Sequence, residues 1–456
     1  MTERVGARRR DRLDQGQALA VIGTLGALVL LNAPLLGSDP WAFQPGRVEP
    51  DGPLAWLVRA ADSEWNVGVL RSAALLGGLL VAVAAVAAGA VRSLSPRLLV
   101  ALGAVVLSLL VVPGVLLQIG LRDSTAPWFF TNDSTYQIEI AGDLLREGTS
   151  PYGHDYGSSG LERFYSLDGS VSEETLEQQV ALEHFAYFPG TPVTGGVWTA
   201  LPGPWDDYRI LVALATLAAF PAAFLFAAPL AWRLAVGAAV AGNPLAVRAT
   251  WFGTADAPSI LLVLVAFGLF TRSRYSGAAA ALAAAVLMRQ FALAAVPFLA
   301  VMILARAPRP AAVRAGLTFG GVLLAGLLPF VSAGPGAFWA DTISYGTETY
   351  RIVGYGLAQL LEEAGWVGAE SGEYPFLLLV LLVWLPVTAA LVAIQLRSGD
   401  LRTGAVSFSV SIFLLLWLAR AFQTSHMIWP TLGIALACLL AASDRMHRGE
   451  AAPRPP

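Results

Sequence analysis

Apolar runs long enough to cross a membrane recur from one end of this 456-residue chain to the other, and they limit the fold more than any motif does. Crossing ~30 Å of hydrocarbon takes about 20 mostly apolar residues in a helix. Runs of that kind lie near 17–36, 67–91, 98–120, 209–231, 255–271, 312–331, 375–396, 403–421 and 427–442, with a weaker one at 234–250 ending near Asn243-Pro244. The run 277–304 is too long for one straight helix and carries Arg289 and Pro297, so it reads as two short helices meeting near Arg289. This pattern predicts an all-α polytopic integral membrane protein with about 12 transmembrane helices. A membrane β-barrel would instead show alternating segments of ~10 residues.

Charge placement orients the helices. The chain is 56% hydrophobic and 13% charged, with a net charge of −3, and every one of its 29 basic residues is arginine. That balance excludes a soluble enzyme and offers no basic surface for nucleic acid. Arginines gather in the N-terminal stretch and at Arg92, Arg97, Arg233, Arg272, Arg274, Arg306, Arg309, Arg314, Arg397, Arg402 and Arg445. The positive-inside rule then puts both termini in the cytoplasm and turns the loops 37–66, 121–208 and 332–374 outward. The first apolar run is too long, and lacks the small-residue cleavage site, for a removed signal peptide. The expected organisation is a disordered tail at 1–16, a transmembrane hairpin at 17–97 and a membrane core at 98–331 that carries the outer loop 121–208. A second outer loop and the last helices follow at 332–442, and a tail at 443–456. The lone Cys438 leaves no disulfide. No phosphate-cradling Lys-Ser or Lys-Thr loop is present, nor a zinc-protease helix, so no cofactor is expected and a divalent metal is not indicated.

The long polar segment 121–208 opens on Thr131-Asn132-Asp133-Ser134. A short amphipathic helix is predicted over 135–147, with a Ser134–Gln137 capping box and Gly148 as its stop. Tyr136, Ile140, Ala141 and Leu144 share one face, and Glu139, Asp143, Arg146 and Glu147 the other. Such a helix suits a membrane surface, presenting Asp133 at the water boundary, where it serves either as a base or as a helix cap. Asp256, before Pro258, has the same two readings. His184 reads as a substrate contact or a satisfied surface histidine. Arg289 is expensive inside an apolar run unless partnered, or else it snorkels to headgroups. Arg420, with Gln423 and His426, marks the last outer turn. Tyr345, Tyr350 and Tyr355 form a sugar platform or an aromatic belt.

Taken in order, several short stretches resemble those of the C-type membrane glycosyltransferases, especially the bacterial mannosyltransferase-like members that use polyprenyl-phosphate sugars. They are Asn132-Asp133 to Tyr136, Leu144 to Tyr152 with its Gly148-Thr149-Ser150-Pro151-Tyr152, His184-Phe185-Ala186-Tyr187-Phe188-Pro189, Gly253-Thr254-Ala255-Asp256, and Leu287-Met288-Arg289-Gln290. The resemblance covers roughly 98–331. Here the aspartate loop follows the third crossing where the family places it after the first, and the aromatic segment carries one proline where pairs are common. The resemblance implies transfer of a sugar, with inversion, from polyprenyl phosphate to an extracytoplasmic glycan, lipid or protein acceptor, at the outer face of a bacterial cytoplasmic membrane. With it, Asp133 reads as the catalytic base and Arg289 and Arg420 as ligands of the donor phosphate. Asn132, Tyr136, Tyr152, His184, Tyr187, Asp256, Gln290, Tyr350 and His426 are then expected to contact substrate. Two other readings stand beside this one: a transporter or flippase of lipid-linked sugars, and a structural subunit of an envelope assembly. Transporters place ionisable residues near the membrane midplane, often within internal repeats. The charges here fall at outer helix ends, and no repeat is visible.

Overall fold

The computed structural model describes residues 15–29, 52–61, 68–91, 94–123, 131–164, 181–350, 352–368 and 374–447. The readings of 1–14 and 448–456 as tails, and parts of all three outer loops, lie outside the described residues. Among the described residues nearly all regular structure is helical, and the one sheet is a two-residue parallel pair, Val353–Gly354 with Ala421–Phe422.

Among the described residues, five helices are long and apolar enough to cross a membrane: Pro96–Asp123, Arg309–Ala333, Phe376–Ser398, Leu401–Leu418 and Thr424–Asp444. A sixth span is possible if Leu230–Gly242 and Pro244–Phe252 count as one, bent by 43°. The bend falls at Asn243-Pro244, because proline cannot donate the helical hydrogen bond there. Asn243 caps the second half instead, accepting from the Ala246 N–H at 2.9 Å. Six shorter apolar helices complete the set, among them Ala257–Thr271 and Tyr275–Met288. Twelve full spans are therefore not established by length.

One sequence boundary needs correction, and another stands. The run 209–231 is not one helix. Arg209–Ala222 passes through a tight turn at Ala223–Leu225, and a new helix starts at Leu230. Pro221 and Pro229 bracket the break, each removing a backbone donor. The run 277–304 does divide at Arg289: Tyr275–Met288 ends there, Arg289 is extended (φ −151°, ψ 122°), and a 3₁₀ stretch Gln290–Ala295 leads into Val296–Arg306.

Most of these helices bury one face in a common apolar core. Pro96–Asp123 packs on Gly68–Val91, Arg209–Ala222, Leu230–Gly242 and Pro244–Phe252. Gly114 admits the buried Trp251 ring, whose indole N–H donates to the Val111 carbonyl at 3.2 Å. The Arg309–Ala333 and Phe376–Ser398 helices behave differently, with only 6% of their apolar windows buried. Leu317, Leu324, Leu328, Leu381, Leu382 and Leu396 lie exposed there. Such continuous faces are unfavourable in water and ordinary in hydrocarbon.

Above the helix ends, two short helices cross at close range. Asp133–Arg146 and Gly190–Trp198 meet through Gly142 and Gly195-Gly196, where a Cβ on Gly142 would lie 2.3 Å from the Gly196 nitrogen. That crossing overturns the expected amphipathic face. Ile138, Glu139, Ala141 and Gly142 turn inward, and Glu139 is buried rather than solvated. Its carboxylate takes both Arg122 Nη atoms at 2.6 and 3.0 Å, together with the Tyr208 N–H at 2.8 Å. Arg122 also reaches Asp207 at 3.1 Å, and Asp207 takes Arg209 at 2.6 Å. Burial opposes ionisation of Asp207, but the Arg209 and Arg122 guanidinium groups hold its carboxyl well below the usual range. Two positive and two negative groups thus neutralise one another and tie three segments of the chain. Removing one partner from such a cluster costs about 3–5 kcal/mol.

Candidate functional site

The helix that carries Asp133 begins two residues earlier than its sequence suggests, at Asp133 itself. Its cap is Asn132, whose side chain accepts from the Ser134 N–H at 2.9 Å. The Ser134–Gln137 capping box is absent, because Gln137 donates to the His184 carbonyl at 2.8 Å. Asp133 Oδ1 also accepts from the Ser134 N–H, at 2.8 Å. It occupies the first turn, where the helix dipole favours a carboxylate.

The segment 184–191 seats on the break at Arg289. Gly190 presses on the Leu287 carbonyl and the Met288 nitrogen, too close for a Cβ. Thr191 Oγ1 donates to the Met288 carbonyl at 2.5 Å, and Gln290 Nε2 to the Ala186 carbonyl at 2.6 Å. This docking lays Tyr187 against Arg289, with the guanidinium carbon 4.7 Å from the ring centroid. Phe291 flanks the same guanidinium at 4.7 Å. The Tyr187 hydroxyl interacts with the Ser134 side chain and with Arg289, and burial pushes this phenol up. Asp133 and Arg289 therefore lie about the same ring.

Asp256 completes the group. Gly253, at φ +84°, ends the Pro244–Phe252 helix in the left-handed conformation, and its carbonyl accepts from Thr135 Oγ1. The chain then enters the next helix at Asp256, whose side chain makes no cap. Its carboxylate instead accepts from the Trp429 indole N–H at 2.9 Å and lies 3.2 Å from Arg289 Nε. That ion pair replaces both the capping reading of Asp256 and the snorkelling reading of Arg289. The Nε–H is not aimed along the contact, so Coulomb attraction rather than a well-formed hydrogen bond holds the pair. A cavity of about 20 Å³, room for one water, lies beside Asp256 among Thr216, Thr250 and Thr254. His426 faces Phe291 edge-on at 5.4 Å and so joins the same wall.

A second group adjoins the first. Arg420 is 1% exposed and donates through Nε to the Tyr350 carbonyl at 2.5 Å, while Nη1 and Nη2 have no partner among the described residues. The strand pair holds it in place, since the Val353 N–H donates to the Arg420 carbonyl at 3.0 Å. Phe422 stacks on His426 at 6.4 Å and links the two groups. His184, three residues before Tyr187, meets Asp341 of the other outer loop at 2.8 Å.

Other expected contacts do not converge. Tyr136 donates to the Ser159 carbonyl at 3.0 Å and leans on Phe164. Tyr152 is buried, and its hydroxyl is taken by the Tyr187 carbonyl at 2.9 Å, so it supports the site from behind. Burial pushes its phenol well up, as it does that of Tyr156. Tyr355 is 62% exposed. Sequence reasoning missed Asp341, Trp429, Ser134 and Thr191. Of these only Asp341, a single acid beside Trp339 in a weakly polar stretch, gave a visible signal. Neither the known family models, nor the curated proteins, nor the solved structures match this chain.

Proposed function

We propose that this chain is a membrane glycosyltransferase that moves a hexose, mannose being the first to test, from a polyprenyl-phosphate donor to an extracytoplasmic glycan, lipid or protein hydroxyl. In this reading the apolar helices make twelve crossings of a bacterial cytoplasmic membrane, both termini are cytoplasmic, and the groups around Tyr187 face outward. The observation that carries it is the placing of a first-turn carboxylate, Asp133, and of Arg289 about the Tyr187 ring, next to a group built on the buried Arg420, whose terminal nitrogens have no partner among the described residues.

The chemistry needs three things at one depth. The acceptor oxygen attacks the anomeric carbon, the Asp133 carboxylate takes the acceptor proton, and the bond from that carbon to the phosphate oxygen breaks with inversion. The departing phosphate gains charge, which Arg289 and Arg420 stabilise. The donor is already activated, so no nucleotide is required. Arg289 is half-neutralised by Asp256, whereas Arg420 has no acidic partner among the described residues and offers a free fork for two phosphate oxygens. Leu293, 43% exposed just past the break, supplies apolar surface for the prenyl chain.

Binding of polyprenyl phosphate to the purified protein tests this reading. Arg420→Gln is expected to weaken it about ten- to a hundredfold, the worth of charge-assisted hydrogen bonds. Unchanged affinity in a folded Arg420→Gln removes Arg420 from the donor site.

A further inference from the structure

One histidine is held at its ring and at its backbone. His184 Nδ1 lies 2.8 Å from Asp341 Oδ1, its ring stacks on Tyr345 at 4.8 Å, and its backbone carbonyl accepts from Gln137 at 2.8 Å. Asp341 and Tyr345 both come from the π-helix Ala340–Thr349 in the second outer loop. Asp341 is 1% exposed, and its other oxygen takes the Gly153 N–H at 2.8 Å. With both oxygens engaged, this carboxylate cannot reach a substrate, and its influence passes through the ring. A carboxylate at Nδ1 keeps the proton there and leaves the Nε2 lone pair as an acceptor. Nε2 has no partner among the described residues and is not sealed in, the side chain retaining 19% exposure.

We propose that His184, positioned by Asp341, is an acceptor subsite: Nε2 accepts a hydrogen bond from a carbohydrate hydroxyl of the acceptor. The proposal rests on the glycosyl-transfer reading. A tether between two loops needs neither one fixed tautomer nor an open ring nitrogen, and this ring has both. Tyr187 belongs to the wall that carries Arg289, and His184 meets the second loop through Asp341. The two are three peptide steps apart, at most about 10 Å along the chain. Donor phosphate and acceptor sugar can thus flank one short segment. The titratable groups around the imidazole are Asp341, Tyr345, Glu183 beside it in the chain and, across Asp341, Tyr152 and Tyr156.

Steady-state transfer by the full-length protein in vesicles, from radiolabelled polyprenyl-phosphate mannose to octyl mannoside, tests the subsite. His184→Phe is expected to raise the acceptor KM about ten- to a hundredfold with the donor KM within about twofold, since one hydrogen bond is lost on one substrate only. Turnover at saturating acceptor falls far less than kcat/KM. His184→Gln, which keeps a neutral acceptor oxygen, is expected to raise the acceptor KM less than His184→Phe does. Asp341→Asn can donate to Nδ1 and push the proton to Nε2, so it raises the acceptor KM as well. An acceptor KM unchanged in His184→Phe, or a donor KM that rises in its place, overturns the subsite. Should His184→Phe fail to fold, an Asp341→Asn whose acceptor KM stays at the wild-type value overturns it equally. If the wild type transfers to no glycolipid, peptide or glycoside hydroxyl, the glycosyl-transfer reading fails and the subsite falls with it.

Discussion

Asp133→Asn is expected to lower transfer by about 10²–10⁴, the usual worth of a general base, while leaving the folded yield near wild type. The fold should tolerate the change because Asn132, not Asp133, caps the helix. What Asp133 loses is a charge at the first turn, worth about 0.3–1 kcal/mol. The neighbouring Ser134 keeps its bond to Asn132, so Tyr187 keeps its seat. Turnover and gel-filtration yield measured side by side check this. Near-full turnover in Asp133→Asn moves the base elsewhere, first to Asp256.

The second large effect is expected at Arg289. Arg289→Gln should lower turnover about 10²–10³-fold, the loss seen when a preorganised donor to developing charge is removed. The same change leaves the Asp256 carboxylate, 3% exposed, without its cation and with the Trp429 N–H as hydrogen-bond donor, and costs about 3–5 kcal/mol of stability. These two consequences can be separated. Adding Asp256→Asn to Arg289→Gln removes the stranded charge and should restore the yield but not the transfer. Arg289→Lys keeps a charge but loses the flat stack between Tyr187 and Phe291, so it should rescue only in part. A full rescue by Lys, or by the double variant, contradicts a role in holding the donor.

How much of this was readable in advance depended on whether the cause was local. Proline and glycine act locally, so the break at Asn243-Pro244 and the left-handed stop at Gly148 follow from the residues themselves. The break at Arg289 was legible for a related reason, since a guanidinium disfavours continuing an apolar helix through it. The inward turn of Glu139 was not legible. Its partners Arg122, Asp207 and Arg209 arrive from other segments, and a fourteen-residue helix with charges on two sides has no unique buried face. Asp256 looked like a cap because it precedes a proline-started helix, and only its neighbours Trp429 and Arg289 show otherwise. Asp341 was missed for the same reason: its partner His184 lies in a different loop.

Purified protein in vesicles, given radiolabelled polyprenyl-phosphate mannose on its outer side and a mixed pool of glycolipid and glycoside acceptors, tests the central claim most directly. The expected result is a new mannosidic bond of inverted anomeric configuration, formed without nucleotide and lost in Asp133→Asn. Movement of the intact donor from one leaflet to the other, with no glycosidic bond formed, would contradict it.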